Sequence, residues 1–118
     1  PDQIFSSPYI RAKETAELII NKIKYEHEIQ FIKMLAVGGN SERLIQDLAL
    51  KTGSAGAYLL VGHEPQLSQL IALLISGDSS LDICLKKATL CKLSIDELHY
   101  GRCARLDWLI QPGLLKPF

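Results

Sequence analysis

The sequence lacks an excess of charge of either sign, since 13 lysines and arginines are balanced by 13 aspartates and glutamates among 118 residues. The basic residues are scattered, whereas a nucleic-acid-binding surface needs cations gathered along a phosphate backbone. We therefore expect no nucleic-acid partner. Long hydrophobic runs are lacking too. The longest, Leu70–Ile75, is far shorter than the roughly 20 residues of a membrane-spanning helix, so we expect no membrane partner.

Cysteine is scarce, with only Cys84, Cys91 and Cys103. An odd number without a C-x-x-C pair does not suit a disulfide framework or a zinc site. The three lie among apolar residues, which predicts buried, reduced thiols. This usage indicates a reducing compartment, the cytoplasm.

What the sequence has is an alternation of short apolar runs with stretches of helical periodicity. The strand candidates in the first two thirds are QIFSS, IQFIKML and AYLLV, and an amphipathic stretch follows each. AYLLV is apolar without alternation, as in a parallel strand covered on both faces, so we expect it to be central. With 47% hydrophobic residues, the chain suits one domain with a single core. The pattern predicts a three-layer α/β/α fold with a mainly parallel sheet.

Capping signals and a change of period complete this interpretation. Ser7 with Pro8 suits the start of the first helix, and Gly53 and Gly77 suit the ends of the second and third. In the last third, apolar residues alternate with polar ones, which predicts two half-buried strands paired as a hairpin. The alternating apolar residues are Cys91, Leu93, Ile95, Ala104, Leu106, Trp108 and Ile110.

Two strand-to-helix loops are the best candidates for chemistry, because an α/β sheet binds ligands at the carboxyl ends of its strands. SSPYIRA places Arg11 near a helix N-terminus, and VGHEP places His63 directly after the third strand. Unpaired helical N–H groups, a guanidinium and an imidazole together make an anion site, most naturally for phosphate. The simpler alternatives are a solvated arginine and a hydrogen-bonded core histidine.

Other candidates carry less chemistry. His27 and His99 lie in polar stretches and are expected to be solvated. No G-x-G-x-x-G or Walker-type loop occurs, so nucleotide binding would need a glycine-rich loop in a segment upstream of Pro1. No acidic pair ends a strand, as a metal-dependent phosphate-transfer site would require.

The segment FSSPYIRAKETAELI resembles the SSPxxRAxQTAEII segment of the histidine phosphatase superfamily, also called phosphoglycerate-mutase-like, and LLVGHEPQLSQLI resembles its second-histidine segment. LKKATLCKLSID and the closing WLIQPGLL are further similar to the SixA-type phosphohistidine phosphatases. The resemblance covers nearly the whole chain. It implies the family's α/β fold, a phosphohydrolase, no cofactor and no metal.

The family builds its phosphate pocket from two arginines and two histidines. Arg11 matches the second arginine, which implies that it clamps phosphoryl oxygens, and His63 matches the second histidine, which implies that it stabilises their developing charge. Ser7 and Glu64, in the same loops, are predicted to contribute to substrate binding. Their simpler roles are a helix cap and a favourable charge at a helix N-terminus.

The family's nucleophile is the histidine of an Arg-His-Gly motif, and no such motif occurs in this sequence. The chain begins at Pro1, just before what resembles the family's second strand. We therefore expect residues 1–118 to be a single domain that lacks its first strand and helix, with the missing strand beside the one that ends at Val61. The alternative is a protein without the nucleophile that serves as a non-catalytic phosphate- or phosphoprotein-binding module.

The substrate expectation comes from a second departure. Relatives that act on alkyl phosphates carry an acid after the third family strand, whereas MLAVGGNSE has no acid before Glu42. A leaving imidazole, with an ordinary pKa of about 6.5, needs little help from an acid. The expected partner is thus a phosphorylated protein, with phosphohistidine as the reacting group, or another small phosphorylated substrate with a labile phosphoryl group.

Overall fold

The computed structural model describes residues 1–36, 38–52, 56–87 and 89–110. They fall into two compact units, which divide between Leu67 and Ser68. Within the described ranges, no helix combines the length and apolar character needed to cross a membrane. The expectation that the whole chain is a single domain stays a prediction.

A parallel sheet organises the first unit. Its strands are β1 (Gln3–Ser6), β2 (Gln30–Phe31) and β3 (Tyr58–Val61), in the order β2-β1-β3. Ile4, Phe5 and Ser6 are completely buried, as the middle strand of a covered sheet requires. The predicted α/β class with a mainly parallel sheet is confirmed.

One end of the β1–β3 pair is held by Asp2. Its backbone N–H donates to the carbonyl of Ala57 at 2.7 Å, and its carboxylate Oδ2 accepts from the backbone N–H of Ala57, also at 2.7 Å. This reciprocal pair extends the ladder one step beyond Gln3↔Tyr58, the first aligned pair of the two strands. Asp2 thereby reinforces the register of the two strands at the end opposite their carboxyl ends.

The prediction that the AYLLV strand is central is wrong for the described part of the chain. Here β3 is an edge strand of the three-stranded sheet, with β1 as its hydrogen-bonded neighbour, and all four of its residues are only half-buried. An apolar run shows that a strand is largely covered, but it does not show how many strands pair with it. The second predicted strand is also shorter than expected, because Lys33–Leu35 form a 3₁₀ helix.

Helix α1 (Ile10–Ile23) packs on β1 and β3. Ala12 and Ala16 are its buried residues, and their small side chains allow a close approach to the sheet. The predicted apolar stripe is correct at these two positions. It is half-buried at Ile19 and Ile20 and exposed at Ile23, which precedes the left-handed residue Lys24 that ends the helix.

Helix α2 (Ser41–Thr52) begins with a side-chain cap, since Asn40 Oδ1 accepts from the Arg43 backbone N–H at 3.0 Å. Leu44, Ile45 and Leu48 are buried as the spacing predicts. The helix end expected at Gly53 lies outside the described residues, as does the whole QPGLL portion of the closing motif.

The second unit contains most of helix α3 (Gln66–Ser76) and an antiparallel pair, β4 (Leu90–Ile95) with β5 (Ala104–Ile110). Five consecutive helical residues, 70–74, are buried, and Gly77 ends the helix at φ +81° with its N–H bonded to the Leu73 carbonyl. The predicted helix end and hairpin are confirmed. A bulge between Lys92 and Leu93 shifts the hairpin register.

Burial in the hairpin differs from the prediction. Ile95, Leu106 and Trp108 are exposed, because this two-stranded sheet leaves its alternating apolar residues partly open to solvent.

The side chain of Ser94 donates to Asp107, and this hydrogen bond, with Arg105 as a second partner, lowers the pKa of the Asp107 carboxyl.

The prediction of buried cysteines is wrong as well. All three are free, but Cys84 is exposed in the irregular segment before β4, and Cys91 and Cys103 are half-buried. Burial raises the pKa of the Cys91 thiol. Apolar neighbours along the sequence did not indicate burial here, because the hairpin covers its own residues incompletely.

Candidate functional site

The two loops singled out by sequence start side by side. Ser6 is aligned with Val61 in the parallel β1–β3 ladder, and the backbone N–H of Ser7 donates to the Val61 carbonyl at 2.9 Å. The residues that follow these strands therefore emerge at the same edge of the sheet, where α/β proteins bind ligands.

Ser7 occupies the centre of this edge and is completely buried. Its Oγ accepts from the Tyr9 backbone N–H at 3.2 Å and lies 2.7 Å from His63 Nε2. The prediction that Ser7 caps a helix is wrong, because α1 starts at Ile10 with Tyr9 as its N-cap and no side-chain cap. The hydroxyl keeps a local bond, to the Tyr9 N–H, and adds a contact with a residue 56 positions away.

His63 is half-buried and held from two directions. Ser7 bonds one ring nitrogen, and the Tyr9 ring lies against the imidazole with 5.3 Å between ring centres and 50° between ring planes. Its backbone carbonyl accepts from the Leu67 N–H at 3.0 Å. The side chain and the backbone of His63 are thus both positioned before any ligand binds.

Arg11 is the second residue of α1, and its side chain is exposed. The helix begins without a side-chain cap, so the N–H groups of its first turn remain available to an anion. They add the partial positive charge of the helix N-terminus to the guanidinium. That Arg11 and His63 converge on one anion stays a prediction.

Glu64 is exposed in the turn that joins His63 to α3. It lies two residues before the first helical residue, Gln66, where a carboxylate is favourable. Its contribution to substrate binding, like that of Ser7, stays a prediction.

Two residues at this edge were missed by sequence reasoning. Tyr9, which contacts His63, was passed over although it lies between two candidate residues in SSPYIR. Gln66 is 3% exposed, and its amide Nε2 donates to the Met34 carbonyl, which links the His63 loop to the 3₁₀ helix after β2. Gly39 lies so close to both groups that a Cβ there would collide with them. A glutamine at the start of an apolar helix gives no sequence signal of burial.

His27 and His99 are exposed, as expected. His27 contacts the Tyr25 ring edge-on, and His99 Nδ1 lies 3.0 Å from the Tyr100 carbonyl. Among the residues that the structure describes, no three His, Cys, Asp or Glu side chains are grouped so that they could hold a metal ion.

No protein-family model matches this chain, and no curated protein matches it. Among solved structures, it is similar to the protein histidine phosphatase SixA in complex with tungstate. The TM-score is 0.82, the sequence identity is 21%, and the match covers 97% of this chain and 70% of that chain. At this identity the likeness shows the fold, which is the phosphoglycerate-mutase-like fold expected from the sequence motifs.

Proposed function

We propose that this protein, which shares the fold of the SixA histidine phosphatase, is a phosphohistidine phosphatase of this type. It removes the phosphoryl group from phosphohistidine on a protein, through a phosphohistidine intermediate on the enzyme. The main support is that two neighbouring parallel strands lead to the two site residues. His63 follows β3, and the uncapped N-terminus of α1, which bears Arg11, follows β1.

In this mechanism Arg11 binds the phosphoryl oxygens, and the first-turn N–H groups of α1 contribute further donors. His63 donates a hydrogen bond to an oxygen on which charge develops during in-line transfer. Fixed donors of this kind supply the charge stabilisation that a metal ion gives elsewhere, so the activity is expected to be independent of metals.

The nucleophile is assigned to a histidine outside the given sequence, in an Arg-His-Gly strand that pairs with β3. The family resemblance supplies this nucleophile, and one observation supports its place: within the described residues β3 has β1 as its ladder neighbour. The chain as given should therefore show no turnover of phosphohistidine peptides or para-nitrophenyl phosphate, and burst kinetics from it would instead indicate His63 as the nucleophile.

The substrate assignment rests on the loop after β2. The first carboxylate in the sequence after β2 is that of Glu42. It is exposed in the first turn of α2. A protein without a strong acid near the leaving group favours a labile phosphoryl donor such as phosphohistidine. The three free cysteines support a cytoplasmic location.

The anion site can be tested on the 118-residue chain. Tungstate or orthophosphate should shift the NMR resonances of His63 and of the Arg11 guanidinium with a common dissociation constant. Arg11→Ala should weaken binding by about tenfold or more, as expected for a charge-assisted hydrogen bond. His99→Ala, which alters an exposed histidine in the other unit, should leave the constant unchanged. Shifts at His63 without any at Arg11 would refute a shared site.

The alternative is a phosphate- or phosphoprotein-binding module without catalysis, favoured by the absence of Arg-His-Gly. The coding DNA upstream of Pro1 separates the two. The enzyme requires a strand that ends in Arg-His-Gly, whereas the module does not.

A further inference from the structure

Ser7 is completely buried, so the proton of its hydroxyl needs a hydrogen-bond acceptor within the protein. Buried hydroxyl groups almost always satisfy their hydrogen-bonding capacity, since an unsatisfied one costs about 1–3 kcal/mol. One of the two contacts of Ser7 Oγ is with the Tyr9 backbone N–H, which can only donate. The other is with His63 Nε2, 2.7 Å away, which can accept when it carries no proton.

We propose that Ser7 acts as a positioning residue that fixes His63 in its Nδ1–H tautomer. The hydroxyl accepts from Tyr9 and donates to Nε2, so the ring proton of neutral His63 resides on Nδ1. Donation in the opposite direction, from Nε2–H to Ser7, would leave the buried hydroxyl proton without either contact as its acceptor.

The tautomer determines which atom of His63 meets a ligand. With Nε2 engaged by Ser7, the nitrogen left for an anion is Nδ1, and it carries a proton to donate. An imidazole with a bare outward nitrogen would instead direct a lone pair at the phosphoryl oxygens. This consequence for phosphoryl binding rests on the proposed function, whereas the tautomer itself is a property of the free protein.

The test is ¹⁵N NMR of the imidazole rings of the 118-residue chain at about pH 8, above the ordinary histidine pKa of about 6.5. In the wild type, Nδ1 of His63 should show the chemical shift of a protonated nitrogen and Nε2 that of a bare one. The opposite assignment, or shifts averaged between the two forms, would overturn the proposal without any variant.

Ser7→Ala should release the ring, so that both nitrogen shifts move toward averaged values. Affinity for orthophosphate should fall by about 3- to 10-fold, the range for one hydrogen bond. The matched control is Ser6→Ala. Ser6 is an equally buried serine whose hydroxyl donates to the Ser7 carbonyl at 2.9 Å, so its loss should leave the His63 shifts unchanged.

The outcomes separate the two proposals. An Nδ1–H tautomer that persists in Ser7→Ala would overturn the role of Ser7. If wild-type His63 has this tautomer but orthophosphate shifts neither His63 nor Arg11, the proposed function fails, while the assignment of the tautomer is upheld.

Discussion

The two loops of the candidate site differ in how firmly they hold their functional side chains. In the loop after β3, His63 is half-buried and contacts both a buried hydroxyl and an aromatic ring. The loop after β1 leads into α1, where Arg11 lies in the first turn and its side chain is exposed. Both loops leave hydrogen-bonded neighbouring strands, so the difference arises beyond the sheet.

This difference matters for binding, because a preorganised donor loses little conformational entropy when a ligand arrives, whereas an exposed arginine loses side-chain freedom. His63 should therefore define where the anion sits, and Arg11 should supply charge once it is there.

Phe5→Ala should remove the support that both loops share. Phe5 is completely buried in the middle strand, and its ring lies 6.3 Å from that of Tyr58 on β3. The expected loss in the free energy of unfolding is about 3–5 kcal/mol, measured by denaturant unfolding. Phe31→Ala, on β2, is the matched control. Phe31 is 47% exposed, so a loss of comparable size there would show that depth in the sheet does not determine the effect.

Arg11→Ala and His63→Ala should each lower kcat by a factor of about 100 to 1,000 in protein extended before Pro1 by the Arg-His-Gly strand that the proposed function requires. The reason is the loss of one donor to the charge that develops in the transition state. Steady-state turnover of a phosphohistidine peptide measures the effect, and addition of a chelator should not change the wild-type rate.

Controls for this experiment come from the two solvated histidines, since His27→Ala and His99→Ala should change kcat little. Phosphorylated enzyme trapped during turnover should carry its label on the histidine of the added Arg-His-Gly strand. Label on His63, or wild-type rates in both site variants, would contradict the mechanism.

Gly39→Ala should disturb the His63 loop through Gln66. A Cβ at position 39 would collide with the Met34 carbonyl and with the Gln66 amide, which are bonded to each other. Overpacking of this kind costs about 1–3 kcal/mol of stability. The His63 resonances should shift in the variant, and unchanged stability and spectra would show that this link does not support the loop.

Tyr9→Ala should have the smallest effect, a loss of orthophosphate affinity of less than about tenfold. A ring–ring contact contributes about 0.5–1.5 kcal/mol, and its loss would let the His63 ring move while Ser7 still bonds it. Tyr9→Phe keeps the ring contact and should bind as the wild type does in an isothermal titration. Equal losses in both variants would assign the effect to the phenol hydroxyl instead.

Sequence periodicity predicted the strand and helix alternation well, because burial of apolar faces determines both the period and the element. It placed Arg11 in a first helical turn and His63 directly after a strand, and the structure agrees. What it could not predict depends on contacts between distant residues. Ser7 has the chemistry of a helix cap, yet its hydroxyl bonds a histidine 56 positions away.

The edge position of β3 and the exposure of Trp108 have the same origin. An apolar strand pattern is compatible with one or two neighbouring strands, and alternation in a hairpin predicts which face is apolar but not what covers it. Gln66 shows the converse, since a polar residue that appears solvent-facing in sequence is buried through its bond to the Met34 carbonyl.

The Asp2–Ala57 pair has a consequence for how this protein tolerates changes in length. A strand advances about 3.3 Å per residue, and a slip of one residue also turns each side chain to the other face. Either change would separate Ser7 Oγ from His63 Nε2, which are 2.7 Å apart at the opposite end of the ladder. Asp2 adds one step to the four aligned pairs of β1 and β3, and so contributes to a distance in a site that it does not touch. Insertions or deletions of one residue within either strand should consequently be rarer among functional variants than substitutions at the same positions.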